Sequence, residues 1–265
     1  AKRKVVLIPD SAHGTNPASA VMAGFDVKTL PSDANGNTDL DALRQSIGDD
    51  LAGLMITLPS TLGLFDTNIL EVTQIVRDAG GIVYGDGANL NALLGRVKLG
   101  ELGFDVIHSN LHKTFSTPHG GGGPGSGPTV LSEALAPFAP WPVMTNYEGD
   151  ENGILIYADH ESELSGSELK PMGRLTAFQG QMGMFVRALS YILSHGADGL
   201  KQVAEDAVLN ANYIQSKLKH IMTPAFDGYC MHEALFSDKF TAEGIETIDI
   251  AKSLIDEGYH PMTMY

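Results

Sequence analysis

Cysteine is nearly missing from the 265 residues: Cys230 is the single one. An intramolecular disulfide and a thiolate metal cage are therefore both excluded, and stability must come from packing. Positive charge is also scarce. Seventeen Lys and Arg oppose 32 Asp and Glu, a formal charge of −15, which argues against a nucleic-acid or anionic-membrane partner because such affinity comes largely from cationic contacts. Long apolar runs are missing as well. Stretches such as Lys4–Pro9 and Gly53–Leu58 fall far short of the roughly 20 residues a membrane span needs, and no charged-then-apolar leader opens the chain. The expectation is a soluble, cytoplasmic protein. Internal repeats are not visible. What is present, 43% hydrophobic and 18% charged residues, is the composition of a folded protein with ample core rather than a disordered one, and the length allows one or two domains.

Short apolar runs rich in β-branched residues recur at Val5–Ile8, Gly53–Thr57, Ile82–Tyr84 and Val106–Ser109. Continuous apolarity rather than alternation predicts strands buried on both faces, as in a parallel sheet. Between the second and third run Asp66 can cap a helix, Ile69, Val72, Val76 and Ala79 fall on one face, and Gly80-Gly81 ends it. This is a β–α–β unit. The order strand, loop, strand, helix, strand, loop, strand predicts an α/β fold whose ligand site lies at the carboxyl ends of the strands. Prolines, glycines and acidic residues then dominate Pro137–Pro171, interrupted by the strand-like Ile154–Tyr157. Helical patterns follow at Met182–Leu193, at Leu200–Leu218 with Asp198 as cap, and at Ile248–Ile255 closed by Gly258, with a strand candidate at Met231–Phe236. The expected division is an α/β domain over 1–145, an irregular connection over 146–175, and a smaller α+β domain over 176–265.

Polar groups gather just beyond three of the predicted strands: Ser11-Ala12-His13-Gly14-Thr15-Asn16, Asp86-Gly87-Ala88-Asn89 and Asn110-Leu111-His112-Lys113-Thr114. A lysine following a buried strand suits a Schiff base, since low dielectric and a nearby cation depress its pKa and leave a nucleophilic amine. A carboxylate such as Asp86 on the neighbouring strand could pair with a protonated pyridine nitrogen, the feature that makes pyridoxal phosphate an electron sink. Gly87 and Ala88 leave a flat surface under an aromatic ring, and Asn89 could donate to a phenolic oxygen. Taken alone, a loop lysine or aspartate is usually a solvated surface residue; the grouping carries the reading.

Gly120–Gly123 with Pro124-Gly125 formally contains G-x-G-x-x-G. That fingerprint must open a helix after a strand, which Gly127-Pro128 and Val130-Leu131 do not support, so the run reads as a loop allowing close backbone approach. His13, His108, His112 and His119 invite a metal hypothesis, but no H-E-x-x-H pattern is present and no metal is expected. His195, His220, His232 and His260 lie outside the cluster and read as structural or surface residues.

On these residues the sequence resembles the P-protein family of the glycine cleavage system, glycine dehydrogenase (decarboxylating). The motifs stand here as Ser11–Ser19, Met55-Ile56-Thr57-Leu58-Pro59-Ser60-Thr61, Asp86–Asn89, and His112-Lys113-Thr114-Phe115 running into Pro118-His119 and the glycines. The resemblance continues through Leu209–Tyr213 to His260-Pro261, and Gly173–Phe178 is similar to the second subunit of the bacterial two-chain form. It implies a fold-type-I enzyme with pyridoxal 5'-phosphate held covalently by Lys113. Asp86 would pair with the pyridine nitrogen, His13 would stack on the ring with Ala88 on the opposite side, Asn89 would sit near the ring oxygen, and His112 near the phosphate. The implied reaction decarboxylates glycine and transfers the aminomethyl group to the lipoyl arm of the carrier H-protein, whose disulfide takes the electrons, so this oxidoreductase needs no nicotinamide. A homologous partner subunit, in a heterotetramer, is implied too.

Relative to the family the chain reads as truncated at both ends, with the phosphate-holding groups expected upstream. Two alternatives compete with the decarboxylase: another fold-type-I enzyme of cysteine desulfurase-like or aminotransferase-like kind, and a catalytically incompetent fragment.

Overall fold

A computed structural model describes residues 3–117, 125–146, 155–158, 169–177, 180–237, 244–262 and 264. His119, the glycines of Gly120–Gly123 and much of the Pro137–Pro171 excursion lie outside the described residues. The chain runs β1 (Val5–Pro9), α1 (Thr15–Met22), β2 (Asp26–Leu30), α2 (Leu40–Ser46), β3 (Leu51–Thr57), α3 (Ile69–Asp78), β4 (Ile82–Gly87), β5 (Val106–Ser109), α4 (Leu111–Thr114) and β6 (Thr129–Leu131). These strands form one sheet in the order β2-β1-β3-β4-β5-β6, parallel except for β6, which pairs antiparallel with β5.

The four apolar runs are the four inner strands. Five of the seven residues of β3 are buried, among them Leu51, Leu54 and Ile56, as expected of a strand covered on both faces. On one face Leu7, Leu54 and Val83 pack against Val72 and Val76 of α3. Fully burying side chains of this size stabilises by roughly 1.5–3 kcal/mol each.

The segment between β1 and β3 is not a loop: it contains α1, β2 and α2. Apolar periodicity misses β2 because it is an edge strand, with Asp26, Lys28 and Thr29 exposed. It misses α1 because Thr15-Asn16-Pro17-Ala18-Ser19 buries only Asn16 within a helix whose other buried residue is Ala20. Asp66 also departs from its expected role. The residue at the α3 cap is Asn68, and the Asp66 carboxylate accepts from the Asn68 N–H (2.8 Å) and from the Thr38 N–H (2.9 Å) and hydroxyl (2.6 Å). It thereby ties the start of α2 to the start of α3.

Beyond the sheet, β7 (Val143–Asn146) and β8 (Leu155–Ala158) form an antiparallel pair. The two predicted helices merge into α5 (Met182–Leu218), broken at Gly196, whose φ of 63° is left-handed. Glycine adopts that conformation without a Cβ penalty, so the break falls there rather than at Asp198. The first half of α5 buries Met184 and Ala188 against Leu111 of α4, and the second half is tied to the loop after β4 by the Arg96–Glu205 ion pair. Strand structure in the predicted Met231–Phe236 run is confined to β10 (Phe236–Ser237), paired with β9 (Thr223–Pro224). Met231 instead packs against the sheet core and donates its N–H to the Gly63 carbonyl (2.7 Å). Helix α6 (Thr247–Asp256) follows, with a capping box between Glu246 and Asp249 and Gly258 just beyond its end.

Strand order reverses between β1 and β3, since the chain leaves β1 toward β2 on one side and returns to β3 on the other. A crevice outside the carboxyl ends of the strands at such a reversal is the general ligand position in open α/β sheets.

Candidate active site

Parallel register puts Thr57 of β3 and His108 of β5 on either side of Asp86 of β4. Successive strand residues alternate faces, so Tyr84 shares the face of Asp86. Asp86 is 6% exposed. Its Oδ1 accepts the Ala88 N–H (2.9 Å), and its Oδ2 accepts from the Asn16 amide and the Thr57 hydroxyl, each at 3.2 Å. A buried carboxylate needs such partners to stay ionised at tolerable cost.

Beside it, Nε2 of His108 lies 3.3 Å from Asp86 Oδ1 and 3.2 Å from Asn110 Oδ1, while the Tyr84 hydroxyl meets His108 Nδ1 at 2.6 Å. Burial, and then the neighbouring Asp86 charge, push the Tyr84 phenol up to about 12, so it remains a proton donor at neutral pH.

These groups open into a cavity of about 660 Å³ lined also by His13, Ala88, Asn89, His112, Lys113 and Glu233. All six site residues inferred from the sequence therefore come together. Lys113 sits on α4, held from behind by the Leu111, Met184 and Ala188 cluster. It is exposed to the cavity rather than enclosed in apolar surroundings, so the expected low-dielectric environment is not present around its amine. His13 is exposed at the rim, with its Nδ1 accepting the Thr15 N–H at 3.1 Å. His112 Nδ1 accepts the Ser126 N–H at 3.3 Å. Asn89 is buried, and its Nδ2 donates to the Pro59 carbonyl at 3.0 Å, so its donor is directed to the loop after β3. Among the described residues no group of three His, Cys, Asp or Glu stands close enough to share a metal ion.

Five participants escaped the sequence reading as site groups: Asn16, Thr57, Tyr84, His108 and Glu233. Asn16 and Thr57 stood inside motifs already singled out, and counting registered neighbours of Asp86 on adjacent parallel strands points to Thr57 and His108. Glu233 had no local signal, because it arrives from 120 residues after Lys113. Its backbone carbonyl sits where a Cβ on Gly63 would come within 2.2 Å. His232, read from the sequence as structural or surface, has a side chain only 8% exposed, with Nε2 3.6 Å from Glu233 Oε1. Burial, and next the Lys113 charge, push His232 down to about 4. Burial raises the Glu233 carboxyl while the Lys113 charge opposes that rise. Both shifts place these residues in the electrostatic reach of Lys113.

A mainly parallel sheet with a buried carboxylate at one strand end, and a lysine on the short helix after the next strand, defines the class of fold-type-I pyridoxal-phosphate enzymes. Solved structures agree on the fold. The glycine decarboxylase (P-protein) of the glycine cleavage system, in inhibitor-bound form, superposes with a TM-score of 0.73 at 18% identity, over 98% of this chain and 59% of that one. Glutamate decarboxylase of Lactobacillus brevis gives 0.70 at 15% identity over 98% and 57%. Residues 1–125 match the aminotransferase class-V family, and residues 203–265 match the glycine dehydrogenase C-terminal domain. The probable glycine dehydrogenase (decarboxylating) subunit 2 of Caulobacter vibrioides is 56% identical over 265 residues, covering 99% of this chain and 49% of that protein. Its namesake from Caldanaerobacter subterraneus is 50% identical, covering 100% and 52%. The chain belongs to the glycine dehydrogenase (decarboxylating) subunit 2 family. It spans about half the length of the curated relatives it matches.

Proposed function

We propose that this chain carries the lysine and carboxylate of a pyridoxal-phosphate glycine decarboxylase, which transfers the aminomethyl group to the lipoyl arm of a carrier H-protein and works with a homologous partner subunit in the cytoplasm. The observation that carries the reading is the cavity shared by Asp86, buried and hydrogen-bonded through both oxygens, and Lys113, in a chain 56% identical to a subunit so named. Aminotransferase-like or desulfurase-like chemistry is not favoured by those relatives.

The donor set fits the cofactor: a buried anion for a protonated ring nitrogen, an amine for a carbonyl, and small Ala88 with the His13 ring available to either side of a flat heterocycle. When bound, pyridoxal 5'-phosphate supplies an electron-withdrawing ring that stabilises the carbanion left by departing carbon dioxide. Asp86 would face the ring nitrogen, where a negative charge favours the protonated ring. Asn16, Thr57 and the Ala88 N–H hold that carboxylate in place. Lys113 would offer the amine, His112 would border the phosphate, His13 would cover a ring face, and Asn89, its amide engaged by the Pro59 and Ser60 carbonyls, would stand near the ring oxygen without donating to it. The lipoyl disulfide accepts the electrons, which accounts for an oxidoreductase without a nicotinamide. We further propose the division into 1–145 for cofactor binding, 146–175 as connection and 176–265 as a second domain.

Borohydride reduction of the full-length protein with pyridoxal 5'-phosphate, followed by peptide mapping, should place the pyridoxyl label on Lys113. A label on Lys98 or Lys170 instead would overturn the assignment. With partner subunit and lipoylated carrier, Lys113→Ala should release no labelled carbon dioxide from glycine while keeping the circular dichroism of the parent.

A further inference from the structure

Tyr84 and His108 have no part in the roles assigned above, yet they form a polar chain that ends beside Asp86. Each atom in that chain limits the next. Two oxygens stand near His108 Nε2: Asp86 Oδ1 at 3.3 Å and Asn110 Oδ1 at 3.2 Å. An ionised carboxylate and an amide oxygen are acceptors only. A lone pair on Nε2 would face both and be repelled, so Nε2 must carry the ring proton. In a neutral imidazole Nδ1 then has the lone pair, and its partner must donate. The Tyr84 hydroxyl, 2.6 Å away, is the group placed to donate to such a neutral ring, and its phenol stays protonated for the reasons given above. The two rings lie 5.7 Å apart with an interplanar angle of 27°, so the imidazole is held both by its edge and by its face.

We propose that Tyr84 and His108 are positioning residues for Asp86: the Tyr84 O–H locks His108 as the Nε2–H tautomer, whose proton is donated to Asn110 and lies beside the Asp86 carboxylate. The positive end of the N–H dipole thereby faces Asp86 without a full charge. A cationic imidazolium there would compete with the cofactor ring nitrogen for the same carboxylate, and the opposite tautomer would repel it. The remaining charged or titratable groups around the cavity are His13, His112, Lys113 and Glu233. The direct partners of Asp86 are Asn16, Thr57, Ala88 and, by proximity, His108.

The inference rests on the cofactor reading for its purpose but not for its test. In full-length protein labelled with ¹⁵N-histidine and free of cofactor, long-range ¹H–¹⁵N spectra at pH 8 should show His108 with the proton on Nε2 and a hydrogen-bonded Nδ1. Tyr84→Phe should move the Nδ1 resonance toward that of an unbonded imine nitrogen. A His108 proton on Nδ1, or an Nδ1 resonance unmoved in Tyr84→Phe, would overturn the lock whatever the cofactor does. For the effect on Asp86, pyridoxal 5'-phosphate affinity should fall about tenfold in His108→Ala, the order of a lost interaction with a charged group. His108→Gln, whose amide can put a donor near the Nε2 position, should recover most of it. Equal affinity in His108→Ala and the parent would overturn the positioning role. A parent protein that does not bind the cofactor at all would instead count against the functional reading, leaving the tautomer result to stand by itself.

Discussion

At the scale of single residues the site is an exercise in keeping one carboxylate charged. Asp86 is nearly inaccessible to solvent, and burial of an unpaired anion would cost several kcal/mol; the Asn16, Thr57 and Ala88 donors offset that penalty. Asp86→Asn should therefore still bind pyridoxal 5'-phosphate, though at least as weakly as His108→Ala, and lose roughly 10² or more in turnover, the usual size of a missing electrostatic contribution. Steady-state kinetics beside a cofactor titration measures both, and near-parental turnover would remove Asp86 from the chemistry. His232 gives a second residue-level expectation. Its ordinary value of 6.5 falls to about 4 in the folded protein, so between those values the unfolded chain binds a proton that the folded chain refuses. Stability contributed by the neutral ring is complete above about pH 6.5 and is lost as pH falls toward 4, up to about 3 kcal/mol. Glu233, raised by burial, acts in the opposite sense just above its ordinary range, so the parent curve is the sum. Urea unfolding at pH 7 and pH 4.5 should show a smaller pH loss for His232→Gln than for the parent. Equal losses would mean that the ring is not buried neutral.

Among the secondary elements, the closeness of β4 to β5 matters most. Gly87 lies opposite Ser109, and a Cβ added to it would stand 1.8 Å from the His108 carbonyl oxygen and 2.8 Å from Leu90 Cδ1. The first obstacle cannot move cheaply, because it is backbone in the neighbouring strand, whereas the Leu90 methyl is the end of a side chain that can turn aside. Gly87→Ala should lower unfolding free energy by about 2 kcal/mol or more, at the upper end of typical overpacking costs, and should disturb His108 along with it. A denaturant midpoint within error of the parent would show that β5 can shift freely. The glycine next to the carboxylate thus serves strand packing first, and the flat surface under a ring follows from the same missing side chain. Strands β1, β3, β4 and β5 were legible because inner strands are written as short continuous apolar runs, with β3 largely buried and β5 half-buried. Strand β2 was not, since an edge strand keeps polar residues, and α1 was not, since it buries one amide and one alanine rather than an apolar stripe.

For the molecule as a whole, the cavity draws on both family-matched regions: residues 1–125 supply the sheet ends and Lys113, and residues 203–265 supply Glu233. The connection is made at Gly63, with φ of 74° and the Glu233 carbonyl in the space a Cβ would occupy. Gly63→Ala should free the segment around Met231–Glu233 while the sheet stays intact. Hydrogen exchange should then show faster exchange at the Met231 amide, which is bonded to Gly63, with Leu7 and Leu54 still protected. Uniform loss of protection would mean that the two parts unfold together.

The amino-acid sequence by itself determined the class of fold, the positions of the four inner strands, and the grouping of His13, Asp86, Ala88, Asn89, His112 and Lys113. These are readable because burial on both faces writes itself as local apolar runs, and because the ligand side of a parallel sheet is always at the strand ends. Only the tertiary structure decided which neighbours hold Asp86, that Lys113 faces the cavity rather than an apolar interior, and that His232 and Glu233 come to it from the far end of the chain. Cross-strand register and the docking of a distant segment on Gly63 depend on contacts between residues remote in sequence, and no local pattern records which two such residues meet.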